Sequence, residues 1–125
     1  IKANTDCKKT LGSEWRQYEE AFPKLQTSKI DIISLECHNS RVPMDLLELI
    51  RGKKVMVGAI DVATQTIETP EEVADTLRKA LQFVDEDKLY PSTNCGMAPL
   101  SRQVANGKLK ALSAGADIIR RELAR

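Results

Sequence analysis

The run Lys54-Val-Met-Val-Gly-Ala-Ile60 constrains this chain more than any other stretch. After its lysine it is apolar throughout. A strand wetted on one face alternates polar and apolar residues, whereas a continuous apolar run of this length reads as a strand covered on both faces. Such strands belong to parallel sheets packed between helices. Three further strand-like runs accompany it. Lys2 to Thr5 is short. Ile30-Asp-Ile-Ile-Ser-Leu-Glu36 is rich in β-branched residues and ends in a charge, and Leu89 to Thr93 carries Pro91, which suits a strand edge.

Helix-like runs separate the strands. Ser13 to Leu25 repeats Trp15, Tyr18, Phe22 and Leu25 at three- or four-residue spacing, with Ser13 as N-cap and Pro23 as a kink or early stop. Met44 to Ile50 follows Pro43 and precedes Gly52, which suit a helix start and a helix end. Thr69-Pro-Glu-Glu72 is a capping box with proline in the first turn, and Val73, Ala74, Leu77, Ala80, Leu81 and Val84 then share one face. From about Ser101 to Leu123, the stripe Ala105, Leu109, Leu112, Ala116, Ile119 and Leu123 predicts a long helix, which Gly107 and Gly115 each weaken by about 1 kcal/mol relative to alanine.

Four β/α units in series predict an α/β fold with parallel strands and right-handed crossovers. Two architectures fit: a small open sheet, or half of a (β/α)8 TIM barrel, which takes about 250 residues when whole. A half-barrel leaves two unpaired strand edges and an uncovered core. The missing half is then expected in another chain, in a self-associated copy, or in further sequence. Because it starts at Ile1 and not Met, the chain is expected to be processed, trimmed or a piece of something longer.

At 125 residues the chain suffices for one domain. Its formal net charge of +1 gives no electrostatic reason to expect nucleic acid or a membrane surface as partner. No apolar run approaches the ~18 residues of a membrane span, and Ile1 to Asp6 is too polar for a signal peptide. Three cysteines, Cys7, Cys37 and Cys95, make no disulfide framework and suit a reducing, cytoplasmic setting.

The chemistry-bearing residues cluster by position type. Cys7 follows the first strand-like run, Glu36 ends the second, and Cys95 follows the fourth in the turn Asn94-Cys-Gly96. In a barrel all three face one rim, at the C-terminal ends of parallel strands, where active sites are built. Two thiolates and a carboxylate form a donor set suited to zinc. Their spacings of 29 and 59 residues match no zinc-finger pattern, and a buried thiol in a turn remains the plainer reading of Cys95. Asp61 ends the third strand on the same rim, where it either orients a substrate amine or acts as a general base, or simply begins a turn. His38, the single histidine, shares a face with Glu36 if the strand alternation continues, and Cys37 does not. Ser13, Ser34 and Ser40 lack a GxSxG setting, and Gly58 to Asp61 lacks the glycines of a phosphate loop.

Together these residues resemble the C-terminal catalytic half of cobalamin-independent methionine synthases and their relatives, over nearly all of residues 1–125. Ile33-Ser-Leu-Glu36 resembles the family's strand ending in a zinc-binding Glu. Val57-Gly-Ala-Ile-Asp61 with Glu68-Thr-Pro-Glu-Glu72 resembles its Gly-Val-x-Asp segment and following helix, and Ser92-Thr-Asn-Cys-Gly96 its Asn-Pro-Asp-Cys-Gly turn. Cys7 matches the Cys of its His-x-Cys element. The resemblance implies a TIM barrel of which this chain is the C-terminal half. It also implies zinc held by Cys7, Glu36 and Cys95, and an S-methyltransferase that passes a methyl or alkyl group to a homocysteine-like small-molecule thiol in methionine biosynthesis. Two positions depart from the pattern. Thr5 stands where the family has its His, which leaves the fourth ligand open, and Ala63 stands where methionine synthases carry a His implicated in proton donation to folate. Folate and a corrinoid are therefore both carried as methyl donor. A thiol alkyltransferase of the coenzyme M type and a metal-free barrel remnant with a binding role are the alternatives. Retention of Cys7, Glu36 and Cys95 speaks against a uroporphyrinogen-decarboxylase-type barrel.

Overall fold

Three parallel strands, β1 (Ile32–Glu36), β2 (Lys54–Ile60) and β3 (Leu89–Thr93), lie side by side in that order. The structure, a computed structural model, describes residues 14–125. The strand expected at Lys2 to Thr5, the cap at Ser13, and the residues Thr5 and Cys7 lie outside the described residues. Helices α1 (Tyr18–Gln26), α2 (Pro70–Ala80) and α3 (Arg102–Leu123) complete the main elements.

Local sequence explains several boundaries. Thr69 accepts a hydrogen bond from the Glu72 amide while the Glu72 carboxylate accepts one from the Thr69 amide, so the capping box closes as expected and Pro70 takes the first turn. Ser101 caps α3 by accepting from Val104 N. Pro23 sits inside α1, which continues to Gln26 and is not stopped there. Met44–Ile50 is a 3-10 helix, not an α-helix. At three residues per turn, Met44, Leu47 and Ile50 line up on one edge, and Leu46, Leu47 and Ile50 are buried. Gly52 follows at φ 98°, a left-handed conformation that glycine adopts without steric cost, and turns the chain into β2.

The core lies on one side of the sheet. Val55, Val57 and Ala59 of β2 meet Val73, Ala74 and Leu77 of α2 and Ala111, Ala116 and Ile119 of α3 in one buried cluster, with Phe22 of α1 and Leu46, Leu47 and Ile50 of the 3-10 helix. The other side is open among the described residues. Ser34, Met56 and Tyr90 form one lateral row, and Glu36, Gly58 and Ser92 the next toward the C-terminal rim. Ile32 is 50% exposed, Met56 38% and Tyr90 44%. The expectation that Lys54–Ile60 is covered on both faces is therefore met only toward its C-terminal end, where Gly58 and Ile60 are buried.

Candidate active site on the C-terminal rim of the sheet

The parallel register brings the C-terminal ends of all three strands to one edge. Glu36 ends β1 beside Gly58, is exposed, and lies on the open face. Asp61 follows β2. The turn after β3 is tied to the end of β2 and to the segment that follows β1: Asn94 N donates to Ile60 O at 2.9 Å, and Asn94 Nδ2 donates to His38 O at 2.8 Å. Gly58 makes room for this crossing. A methyl group there would come within 2.9 Å of Asn94 Cα and 3.0 Å of Leu35 O. Asn94 Oδ1 is left buried without a partner. The next residue, Cys95, is exposed, which removes the buried-thiol reading.

Cys37 has the opposite environment. It turns toward the core, its Sγ donates to Leu35 O at 3.5 Å, and burial pushes its thiol up to about 12. Partial burial against the core thus disfavours its thiolate. The amides of both Cys37 and His38 donate to Gly58 O, at 3.0 and 2.9 Å. Two successive amides on one carbonyl end the strand alternation. His38 therefore does not join Glu36 as the alternation suggests. Its Nδ1 lies 3.3 Å from Thr76 Oγ1 on α2 and its Nε2 3.9 Å from Glu68 Oε2.

Asp61 begins a turn and also faces the rim. Its Oδ1 accepts from Ala63 N at 2.8 Å and its Oδ2 from Asn39 Nδ2 at 3.2 Å. The carboxylate borders a cleft with His38, Thr64, Thr66 and Glu68. Behind it stands an ion pair absent from the sequence-based expectations. Lys108 Nζ, fully buried on α3, lies 2.7 Å from Glu68 Oε1, and Glu68 Oε2 accepts from Asp61 N at 2.7 Å. One signal for Lys108 was present, since it falls three residues after Ala105 and four before Leu112 within the apolar stripe of α3.

Glu36, Asp61 and Cys95 thus occupy one rim. Among the described residues no three His, Cys, Asp or Glu side chains stand together as a metal cluster. Cys7, the third expected ligand, lies outside them. The donor chemistry of the two described candidates, Glu36 and Cys95, fits zinc: an accessible carboxylate and an accessible thiol.

A model of the catalytic domain of cobalamin-independent synthases matches residues 5–117. The chain is 36% identical over 112 residues to a methionine synthase of Saccharolobus islandicus, covering 87% of this chain and 33% of that protein. It is 35% identical over 98 residues to a methionine synthase of Thermococcus kodakarensis, covering 78% and 29% respectively. With a 2-hydroxypropyl-CoM lyase of Xanthobacter autotrophicus it shares 34% identity over 110 residues, covering 82% and 29%. The structure of a B12-independent methionine synthase from Shewanella sp. W3-18-1, in complex with selenomethionine, superposes with a TM-score of 0.94 at 84% identity, over 99% of this chain and 36% of that one. The chain spans about a third of the length of these relatives. A match running from before the first described strand into the last helix, joined to the same strand-end placement of Glu36, Asp61 and Cys95 that the motifs led one to expect, makes this chain a member of the cobalamin-independent synthase catalytic-domain family.

Proposed function

We propose that these residues form the C-terminal half of a (β/α)8 barrel that transfers a methyl or alkyl group to a small-molecule thiol of the homocysteine type, with zinc held by Cys7, Glu36 and Cys95. The observation that carries this reading is the contrast between the two described thiols: Cys95 is exposed on the rim that also bears Glu36, while Cys37 is half-buried and packs against the core. Zinc, when bound, lowers the pKa of a coordinated thiol so that the sulfur is nucleophilic at neutral pH. In the transfer a new C–S bond forms. The bond from carbon to the donor breaks, and its electron pair stays with the donor. Asp61, on the same rim, orients a substrate amine or accepts a proton. Ala63 bears on the donor, because a folate nitrogen needs a proton to leave and this position offers no acid, whereas a corrinoid leaves without one. The likeness to a 2-hydroxypropyl-CoM lyase supports keeping a coenzyme M type thiol as the second reading.

Zinc per chain in the full-length protein purified without chelators tests the assignment. Near-stoichiometric zinc that falls sharply in Cys95→Ser is expected, followed by methyl transfer to homocysteine from 5-methyltetrahydrofolate or methylcobalamin. Unchanged zinc in that variant removes Cys95 from the site.

A further inference from the structure

Lys108 is the largest fully buried side chain among the described residues. Its ammonium has three protons, and three acceptors meet them: Glu68 Oε1 at 2.7 Å, Asp61 O at 2.9 Å and Thr66 O at 2.6 Å. All three belong to the segment 61–68, which joins the end of β2 to the start of α2. Glu68 completes the arrangement through its bond from Asp61 N. The peptide groups on both sides of Asp61 are therefore held by one buried pair, the amide by Glu68 and the carbonyl by Lys108. The carboxylate between them is aimed by Ala63 N and Asn39 Nδ2.

A buried ion pair is a poor device for stability, because desolvation offsets most of its attraction and an apolar pair of similar volume does as well or better. What it supplies is a fixed geometry with directional bonds. We propose that Lys108 is a positioning residue, acting with Glu68 to hold Asp61 at the reactive rim, so that the last helix sets the orientation of a carboxylate at the end of the middle strand. This rests on the transferase reading above. A mere staple between α3 and the 61–68 segment would affect folding and zinc content but would not act on turnover through Asp61.

The test uses the full-length protein with Lys108→Met, Asp61→Asn and the two combined. Amide exchange over residues 61–68 is measured together with methyl transfer to homocysteine. Because Lys108→Met leaves a buried carboxylate unpaired, Lys108→Met/Glu68→Gln serves as a folded control that still offers an acceptor to Asp61 N. Lys108→Met is expected to speed exchange of the Asp61 amide about tenfold relative to β2 amides. It should also lower kcat/KM about tenfold or more with zinc content unchanged. Combined with Asp61→Asn it should cost no more than the larger single loss, since the two act as a unit. Losses that multiply, or wild-type exchange at Asp61 in Lys108→Met, overturn the proposal. Absence of transfer in zinc-loaded wild type overturns the transferase reading instead. Faster exchange in the variant would then still support the hold on Asp61, and unchanged exchange would overturn it.

Discussion

Cys37 and Cys95 differ in chemistry because Cys95 is exposed while Cys37 is half-buried against the core. Desolvation dominates at Cys37, the nearby Glu36 charge adds to it, and a hydrogen bond with the Gly58 backbone only partly opposes them. The reactive species is the thiolate. In zinc-free full-length protein at neutral pH, iodoacetamide should therefore modify Cys95 at least about tenfold faster than Cys37, read by peptide mapping. Equal rates would remove the contrast on which the candidate site rests. Cys95, Glu36 and Asp61 were legible as candidates because each follows or ends a strand-like run, and parallel strands end together. The roles of Lys108 and Glu68 were not, although the place of Lys108 within the apolar stripe hinted at burial. Only the docking of α3 against the 61–68 segment makes three acceptors available to the lysine. The path of His38 was illegible for a similar reason, since one shared carbonyl on the neighbouring strand ends the alternation.

At the scale of elements, the two glycines of α3 separate cleanly. Replacing glycine by alanine inside a helix gains about 1 kcal/mol from propensity alone. At Gly115 the added methyl would lie 2.5 Å from Val73 Cβ and 2.8 Å from Pro70 O, so α2 and α3 would have to part. Overpacking of that kind costs about 1–3 kcal/mol and outweighs the propensity gain. At Gly107 the added methyl meets the side chain of Ile67, which is itself partly exposed and can move. Gly115→Ala is therefore expected to lower Tm and Gly107→Ala to leave it unchanged or raise it, in thermal unfolding of the full-length protein. The same close approach explains where the expected stripe of α3 failed. The buried face is Lys108, Ala111, Gly115, Ala116 and Ile119, while Leu109 and Leu123 are exposed. Periodicity located the helix, but the small residue that lets it approach α2 selected the face. The limits of β2 and β3 and the capping box of α2 were read correctly, because chain-local signals mark them.

Among the described residues the core lies on one side of the sheet. The open face carries Ile32, Met56 and Tyr90 close together on adjacent strands, and contiguous apolar surface of this kind favours association. A polypeptide of these 125 residues is expected to self-associate, with Met56→Glu shifting it toward monomer in sedimentation velocity. A wild-type monomer that unfolds cooperatively would favour the open-sheet architecture over the half-barrel. Among the described residues no helix is long and apolar enough to cross a membrane.

What the sequence by itself determined was the order of the described strands and main helices, the parallel arrangement that alternation demands, and the family through three modest motifs in order. Those features depend on residues near one another along the chain, or on runs whose pattern survives without a partner. The tertiary structure decided which face of the sheet is covered, which thiol packs against the core, and which helix face meets α2. It also decided that a lysine near the start of the last helix reaches the backbone of Asp61. Each of these depends on distances between residues dozens of positions apart, which are set only when the strands pair and the helices dock.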